Sequence, residues 1–457
     1  MRCSRAQVER RVHAIPEVEF EDDRLSSASG LVLFQGLFRR LGLRSRLRIC
    51  FSHVRRTTSF SSVHVVLLLV VHVLLGYRKL REMEYYRDDP MVLRLLGLTR
   101  LPDVSTMSRR LGSLDRESCR QVGRLSGELV LERLAEEGFG RVTLDFDGSV
   151  FSTRREAEGT AVGFNRKRKG ARSYYPLFCT VAQTGQVLDV RHRSGNVHDF
   201  NGAPEFIEAC VRRVQGTCGG TRVEARMDAA FFSQEAADLL ERLKVEYSIS
   251  VPFGGSPALK DVIEERQRWR RIDDTWSYFE LRWRSVRWKK RRRFVVYRQR
   301  IRRQRKGALQ LDLYEPVSWT YQFKVVVTNR KVKAAQLLRF HNGRGAQEGV
   351  FGEVKDLCQL SYIPSRSWSG NQMYMQAGIL AHNLTRELQM QIRSRDRALS
   401  PQRTAMWRFE KLSTIRHLMI CRAGRLINRA GRLVLRMSAN QAVRRDLQHM
   451  MQALDPA

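Results

Sequence analysis

Four acidic residues lie at positions where carboxylates could hold divalent metal ions. Asp145 and Asp147 occur in the segment VTLDFDGSV, Asp228 ends the segment VEARMD, and Glu348 lies in HNGRGAQEGVFGEV. Cutting or joining a phosphodiester needs an activated oxygen nucleophile and a stabilised leaving oxyanion. Two Mg²⁺ ions about 4 Å apart, held by carboxylates, provide both. Asp147, Asp228 and Glu348 are therefore candidate catalytic metal ligands.

The two aspartates of the first segment compete for one role. Side chains two residues apart on a strand point to the same face, so Asp145 and Asp147 could both line one site. An ion pair or a cap would explain Asp145 without a metal. Asp228 follows a strand-like run, and α/β sheets place ligands beyond the carboxyl ends of their strands. Taken alone, Asp228 could equally be the N-cap of a following helix.

The third acidic residue lies in a helical pattern. Arg344, Glu348 and Lys355 are spaced by four and seven residues, which brings all three near one face of a helix. A simple intrahelical ion pair between Arg344 and Glu348 is the alternative interpretation.

Length and charge limit the classes of protein. The chain has 457 residues, too many for one ordinary core, and 42% of them are hydrophobic, which is enough for folded domains. The 82 Lys and Arg residues outnumber 47 Asp and Glu residues, for a formal net charge of +35. Such an excess favours a polyanionic partner, with nucleic acid first and a membrane surface second.

Several local patterns favour ordinary structural roles. The apolar run at 63–75 is about 13 residues long, shorter than the roughly 20 that a membrane span needs, so we expect a buried core helix and no membrane partner. The eight cysteines form no CxxC pair, which favours a reducing cytoplasm over a zinc site or a disulfide framework. His192 and His198 flank a turn without a third ligand, which favours structural roles over a metal site.

The periodicity of the chain predicts helical flanks around a mixed α/β core. Within the first region, two short helices around 98–105 could form a helix-turn-helix in which Ser105 caps the second helix and Arg109 and Arg110 face DNA, although plain bundle structure is the alternative. From Arg141 onwards the pattern predicts strands, a hairpin turning at 183–186, and alternating helices and strands. The predicted regions are helical and DNA-binding (1–135), first part of the core (136–262), basic Trp-rich β insertion (263–318), second part of the core with the glutamate helix (319–395), and basic helical C-terminus (396–457).

The insertion combines aromatic and basic residues. Trp288 is followed by Arg291, Arg292 and Arg293, so bases could stack on the ring while the arginines bind the backbone. In the alternative interpretation, the tryptophans form a small core of the insertion and only the arginines face outwards.

These motifs together resemble the DDE transposases of bacterial insertion sequences, in the group with a β-rich insertion before the last acidic residue. That group has a Tyr-x2-Arg-x3-Glu-x6-Lys signature. Arg344, Glu348 and Lys355 match it, and His341 stands where Tyr is usual. The runs Asp147-Gly148-Ser149 and Asp228-Ala229-Ala230-Phe231 resemble the first two motifs of the family. The Gly-Ser after Asp147 favours it as first ligand, with Asp145 as the alternative.

The resemblance implies an α/β fold: an RNase H-like mixed-sheet catalytic core with a β-rich insertion and helical flanking regions. It also implies two Mg²⁺ ions, for which Mn²⁺ can substitute, and DNA contacts by His341, Arg344 and Lys355. The expected activity is hydrolysis of double-stranded DNA at terminal inverted repeats and transfer of the freed ends to target DNA. Self-association on DNA and a bacterial, nucleoid-associated cytoplasmic location follow. The alternatives are a non-catalytic DNA-binding protein, an inactive relic, or a related nuclease without strand transfer.

Overall fold

The computed structural model describes most of the chain. The described residues are 4–54, 60–153, 156–163, 165, 168–197, 200–252, 257–286, 288–302, 319–395 and 405–454; within them the side chains of 302, 319, 320, 346–348 and 351 are not described.

Many of the helices pack against one another in a helical core of their own, and others cover the large sheet. They begin and end with local signals such as Ser61, whose hydroxyl accepts from the His64 amide, and Gly76, whose left-handed φ of 94° ends the same helix. The helices are α1 Arg5–His13, α2 Leu31–Arg40, α3 Leu43–Cys50, α4 Ser62–Leu75, α5 Pro90–Leu96, α6 Val104–Gly112, α7 Arg116–Glu137, α8 Ala203–Thr217, α9 Gln234–Arg242, α10 Pro257–Glu264, α11 Ala334–Asn342, α12 Gly345–Gly352, α13 Trp368–Ile392, α14 Leu412–Ile415 and α15 Gln441–Leu454, with 3₁₀ turns at Leu80–Tyr86 and Ala229–Phe231 and π-helical turns at Glu353–Leu357 and Arg416–Ile420.

Strands form one large sheet and two small ones. The large sheet has the order β10-β11-β12-β13-β9-β8-β2-β6-β7, and the small sheets have the orders β1-β14-β15 and β3-β5-β4. The strands are β1 Leu25–Ser26, β2 Arg141–Gly148, β3 Phe151–Ser152, β4 Ala161–Val162, β5 Arg172–Tyr174, β6 Leu177–Val181, β7 Gln186–Arg191, β8 Arg222–Met227, β9 Glu246–Ser250, β10 Arg270–Arg271, β11 Trp276–Trp283, β12 Arg292–Arg302, β13 Trp319–Thr328, β14 Gly424–Arg429 and β15 Arg432–Met437.

The centre of the large sheet has the expected RNase H-like arrangement. Strand β2 pairs antiparallel with β6 of the hairpin β6–β7 and parallel with β8, which in turn pairs parallel with β9. Helix α8 precedes β8, and α9 connects β8 to β9, as parallel pairing requires a crossover. Val142, Leu144 and Phe146 of β2 are fully buried, because helices cover this layer. The mixed-sheet core predicted from the sequence is confirmed.

The basic insertion forms strands, but these extend the same sheet. Strand β12 pairs with β13 over ten residue pairs, and β13 pairs with β9. Trp288 is 7% exposed and stacks on Phe232 with ring centroids 4.8 Å apart, and Trp269 meets Phe279 edge-on at 4.8 Å. These tryptophans therefore pack into apolar layers, as the alternative interpretation has it. The predicted part of the insertion at 303–318 lies outside the described residues.

The apolar run at 63–75 is the buried core helix that its length predicts. Residues 65–74 of α4 are at most 2% exposed, and α13 packs along this helix. Within the described residues no single helix is long and apolar enough to cross a membrane; Ser62–Leu75 and Leu80–Tyr86 meet that requirement only as a pair bent by 75°.

The C-terminal prediction of helices is wrong for residues 424–437. This stretch is the hairpin β14–β15, and β1 pairs with β14 to complete a three-stranded sheet. Ala430 and Gly431 connect the strands with φ angles of 48° and 74°, the paired left-handed conformation of a tight hairpin turn. The arginines recur every four residues, at 425 and 429 and at 432 and 436, a spacing that fits one face of a helix as well as one face of a strand, so the turn at Ala430 and Gly431 decides for the hairpin. Helices α14 and α15 flank the hairpin.

Candidate active site

Two of the predicted metal ligands lie side by side at the carboxyl ends of two adjacent strands of the large sheet. Phe146 of β2 is in register with Met227 of the parallel strand β8, so Asp147 and Asp228 come next on adjacent strands about 4.8 Å apart. The Gly148 amide donates to Asp147 Oδ1 at 2.8 Å, and the Ala230 amide donates to Asp228 Oδ1 at 2.9 Å. Backbone groups thus orient both carboxylates. Asp228 is also a cap, at a 3₁₀ turn.

Asp145 has a different environment, two residue pairs further into the sheet than Asp147 and Asp228. It is in register with Arg226, whose Nε and Nη2 donate to its two oxygens at 2.6 and 2.7 Å. The side chains of Asp145 and Arg226 are 2% and 0% exposed. Burial raises the pKa of the Asp145 carboxyl, against the opposing effect of the Arg226 charge. Asp145 is therefore held in a buried ion pair.

The same arginine brings the last motif to the site. Arg226 Nη1 donates to the Phe340 carbonyl at 3.0 Å, near the end of α11. A Cβ on Gly343 would lie 2.3 Å from Arg226 Nη1, so the turn after α11 approaches this guanidinium closely only with glycine there. Arg344 follows and places its Nη1 3.4 Å from Asp147 Oδ2. The segment after α11 is far from β2 in the sequence, yet it lies at the carboxyl end of β2, beside Asp147.

Glu348 lies in the helix that begins beside this contact. Arg344 is the N-cap residue of α12, and Glu348 is four residues further, about 6 Å along the axis. The side chain of Glu348 is outside the described residues. The structure therefore brings Asp147, Asp228 and Arg344 together and places the backbone of the glutamate helix next to them.

His341 does not occupy the DNA-facing position expected for the residue in place of the signature tyrosine. It is 3% exposed, and its Nδ1 and Nε2 lie 2.9 and 2.8 Å from the hydroxyls of Ser248 and Ser250 on β9. Burial, helped by nearby Lys324 and Arg344, lowers the pKa of His341 to about 3, so the ring is neutral. His341 therefore fastens α11 to the sheet. The serines at i and i+2 of VEYSISVP were the sequence signal for this contact.

Lys355 lies beyond α12 in the π-helical turn Glu353–Leu357. Its Nζ is 5.9 Å from the centre of the Phe151 ring. Two residues earlier, Glu353 is buried, pairs with Arg386 of α13 and accepts from the Leu412 amide at 3.0 Å. The segment that carries Lys355 is thus anchored to the helical side of the protein.

The four residues of the insertion that were expected to bind DNA have different surroundings. Arg291 is exposed. Arg292 is 5% exposed, with contacts of 2.5 and 2.7 Å to Asp238 and Glu241, and Arg293 pairs with Glu280 at 2.9 Å. For Arg292, as for the buried Trp288, the expectation of a DNA contact is corrected: both side chains pack against α9 and the segment before it.

The helices predicted around the turn 98–105 are present as α5 and α6. Asp103, rather than Ser105, occupies the N-cap position of α6. Arg109 is exposed, and its Nε donates to the Ser105 carbonyl at 3.4 Å. Arg110 is half-buried.

His192 is not part of a metal pair within the described residues, and His198 lies outside them. The centre of the His192 ring lies 4.3 Å from that of Tyr174 and 4.4 Å from that of Trp368, and burial lowers the pKa of His192 to about 3. Among the side chains that the structure describes, which exclude Glu348, no three His, Cys, Asp or Glu residues are arranged to hold a metal. The paired carboxylates of Asp147 and Asp228 are hard oxygen donors that suit Mg²⁺, and Glu348 would supply the third.

The fold and this site define a protein with an RNase H-like core and acidic residues at adjacent strand ends. Residues 9–457 match the family described as transposase DDE domain group 1, so the chain belongs to this family of transposases. The resemblance to DDE transposases seen in the sequence is thereby confirmed. No curated protein sequence matches the chain.

The solved structures similar to this chain include two transposase complexes. A piggyBac transposase synaptic complex with hairpin DNA has 11% identity and a TM-score of 0.42 over 94% of this chain and 85% of that one. A Mos1 transposase paired-end complex with the left transposon end has 13% identity and a TM-score of 0.18, over 42% of this chain and 59% of the Mos1 chain.

Proposed function

We propose that this protein is the DNA transposase of a bacterial insertion sequence. In this proposal it binds the terminal inverted repeats, hydrolyses the DNA to free 3′-hydroxyls and joins these to target DNA. The observation that carries the proposal is the meeting of Asp147, Asp228 and Arg344 at the start of the glutamate helix. The family membership and the net charge of +35 support it.

Asp147, Asp228 and Glu348 would hold two Mg²⁺ ions, with Mn²⁺ as a substitute. When bound, the metals activate the attacking oxygen and stabilise the leaving oxyanion. The chain's own contribution begins with orientation, because the amides of Gly148 and Ala230 hold one oxygen of each aspartate. Two adjacent carboxylates repel each other, and the Arg344 charge offsets this repulsion.

Arg344 and Lys355 would bind DNA phosphates near the cut. The Arg344 guanidinium offers a planar fork of donors that suits a phosphate. It is 22% exposed, so a bound strand can reach it. His341 acts indirectly, because its hydrogen bonds to Ser248 and Ser250 hold the end of α11 and so the position of Arg344.

The partners follow from this reaction. Joining two transposon ends requires at least two protomers on DNA. Exposed Arg109 on α6 and Arg291 of the insertion are candidate contacts to the duplex. The location would be the bacterial cytoplasm, with the protein associated with the nucleoid.

Substitutions at the three acidic positions test the proposal. The substrate is a plasmid that carries the DNA flanking the coding sequence, with Mg²⁺ present. We expect Asp147→Asn, Asp228→Asn and Glu348→Gln each to lower cleavage by at least about a thousandfold while duplex binding is kept. Asp356→Asn is the matched control, because Asp356 is exposed in the same helical segment.

Each other outcome favours a specific alternative. Wild-type protein that binds the flanking DNA but never cuts it would indicate a non-catalytic DNA-binding protein or an inactive relic. Cleavage that survives all three substitutions would refute the proposed site. Cleavage without joined products would indicate a nuclease of the same fold.

A further inference from the structure

The hairpin β14–β15 has two chemically different faces. Cross-strand register places Leu426 opposite Leu435 on one face, with Met437 partly buried against the helical core. The opposite face contains Arg425 with Arg436 and Arg429 with Arg432, and between these pairs Ile427 with Val434. All four arginines of the hairpin therefore lie on one face of a two-stranded ribbon.

The basic face places like charges directly opposite each other. Arg425 faces Arg436, and Arg429 faces Arg432, across antiparallel strands where side chains are about 5 Å apart. Like charges in such pairs destabilise a hairpin unless an anion lies between or near them. All four side chains are exposed, so solvent and polyanions can reach them.

The structure shows how one of these guanidinium groups binds an anionic oxygen. Arg425 Nε lies 3.0 Å from a carboxylate oxygen of Asp22, in the segment before β1. Within the described part of the chain, no acidic side chain pairs with Arg429, Arg432 or Arg436. Three of the four arginines on this face are therefore left without a counter-charge from the protein's described residues.

We propose that the arginine face of β14–β15 binds the phosphate backbone of duplex DNA. The two arginine pairs are four residues apart, about 13 Å along a strand, which is close to the roughly 12 Å width of the major groove. Each pair can then contact one phosphate wall, with Ile427 and Val434 between the pairs. A two-stranded ribbon also fits the major groove.

This binding surface is distinct from the candidate active site. The hairpin belongs to the three-stranded sheet with β1, whereas Asp147 and Asp228 lie in the large sheet. The inference rests on the proposed function only in taking DNA as the ligand. It adds a surface that holds the duplex without taking part in cleavage.

The test uses the full chain and a fluorescein-labelled duplex of arbitrary sequence. In the ribbon variant, Arg429, Arg432 and Arg436 are each changed to Gln. The control variant changes Arg212, Arg222 and Arg242 to Gln, three exposed arginines of the core, so both variants lose the same charge. The dissociation constant is measured over a series of salt concentrations.

We expect the ribbon variant to flatten the slope of log K against log salt by about 2 to 3 units, because each lost phosphate contact removes about 0.9. The control should keep the wild-type slope. Replacing the same three residues by Lys should restore most of the slope, which separates charge from misfolding. Equal slopes for the ribbon variant and the control would overturn the inference, as would a changed oligomeric state with unchanged DNA binding.

The outcomes for the two proposals are separable. If the wild type cuts DNA and the ribbon variant binds with the wild-type slope, the ribbon inference fails and the proposed function stands. If no cleavage is found but the ribbon variant alone loses salt dependence, the ribbon inference stands and the proposed function fails.

Discussion

The Arg226 guanidinium donates to both carboxylate oxygens of Asp145 inside the sheet, two register steps before Asp147 and Asp228. The pair neutralises the acidic residue that lies deeper in the sheet and leaves the two carboxylates at the edge for solvent and ligands. It also ties β8 to the end of α11 through the Phe340 carbonyl. One buried contact thus separates a structural aspartate from a candidate metal ligand.

Asp145→Asn should lower the free energy of unfolding by about 3–5 kcal/mol, because it leaves the fully buried Arg226 without its counter-charge. Asp147→Asn should change it by less than about 1 kcal/mol, because that side chain is 22% exposed. Urea denaturation monitored by tryptophan fluorescence measures both. Full stability with lost cleavage in Asp145→Asn would reverse the assignment of the two residues.

Arg344→Gln should have opposite effects on metal binding and on cleavage. Removing a positive charge 3.4 Å from Asp147 should tighten Mn²⁺ binding by about tenfold, while the loss of a phosphate contact lowers cleavage. Electron paramagnetic resonance of free Mn²⁺ measures the first effect, and a plasmid assay measures the second. Arg339→Gln is the control, since Arg339 is exposed on α11. Weaker Mn²⁺ binding in Arg344→Gln would contradict the expected electrostatics.

His192→Phe should make the protein more resistant to acid. Burial lowers the pKa of His192 to about 3, whereas an unfolded histidine titrates near 6.5, so the unfolded chain takes up the extra proton. Stability is therefore lost as pH falls from about 6.5 towards 3. At pH 5 the difference is about 2 kcal/mol.

Phe keeps the packing between Tyr174 and Trp368, and neither nitrogen of His192 has a hydrogen-bond partner in the described structure. Unfolding free energies of wild type and variant should thus converge at pH 7 and diverge below pH 6. If the unfolding free energies of wild type and variant instead fall in parallel down to pH 5, His192 is not the group that causes the loss of stability in acid.

Arg291 and Arg292 are adjacent but should respond differently to Gln. Arg292→Gln should destabilise the fold by about 1–3 kcal/mol, because the side chain is 5% exposed and pairs with Asp238 and Glu241. Arg291→Gln should leave stability unchanged and reduce the salt slope of DNA binding by about 1. Thermal unfolding and a DNA titration of both variants measure the two effects. Weakened DNA binding in stable Arg292→Gln would contradict its structural role.

Local patterns were sufficient to predict the central sheet and to place Asp147 and Asp228 at the carboxyl ends of its strands. Each of these strands is a short apolar run, and the carboxyl ends of adjacent parallel strands necessarily meet. The same reasoning failed for 424–437, because arginines spaced four residues apart fit one face of a helix as well as one face of a strand, whereas Ala430 and Gly431 form a hairpin turn.

Contacts between distant residues could not be predicted in this way. His341 bonds to Ser248 from 93 residues away, and the pairing of Asp145 with Arg226 spans 81 residues. The sequence showed that each of these polar groups needed a partner, but which partner depends on the register of β8 and β9 and on the placement of α11. The burial of Arg292 beside α9 depends on the same packing.

The pairing of β12 with β13 also explains why the insertion is integral to a stable protein. Without β10–β12, β13 would be the last strand of the sheet, with a row of unpaired amides and carbonyls available to another chain. A variant shortened by these strands would therefore aggregate through β13 instead of yielding a minimal catalytic domain. The insertion protects the sheet from such self-association, independently of any contact with DNA.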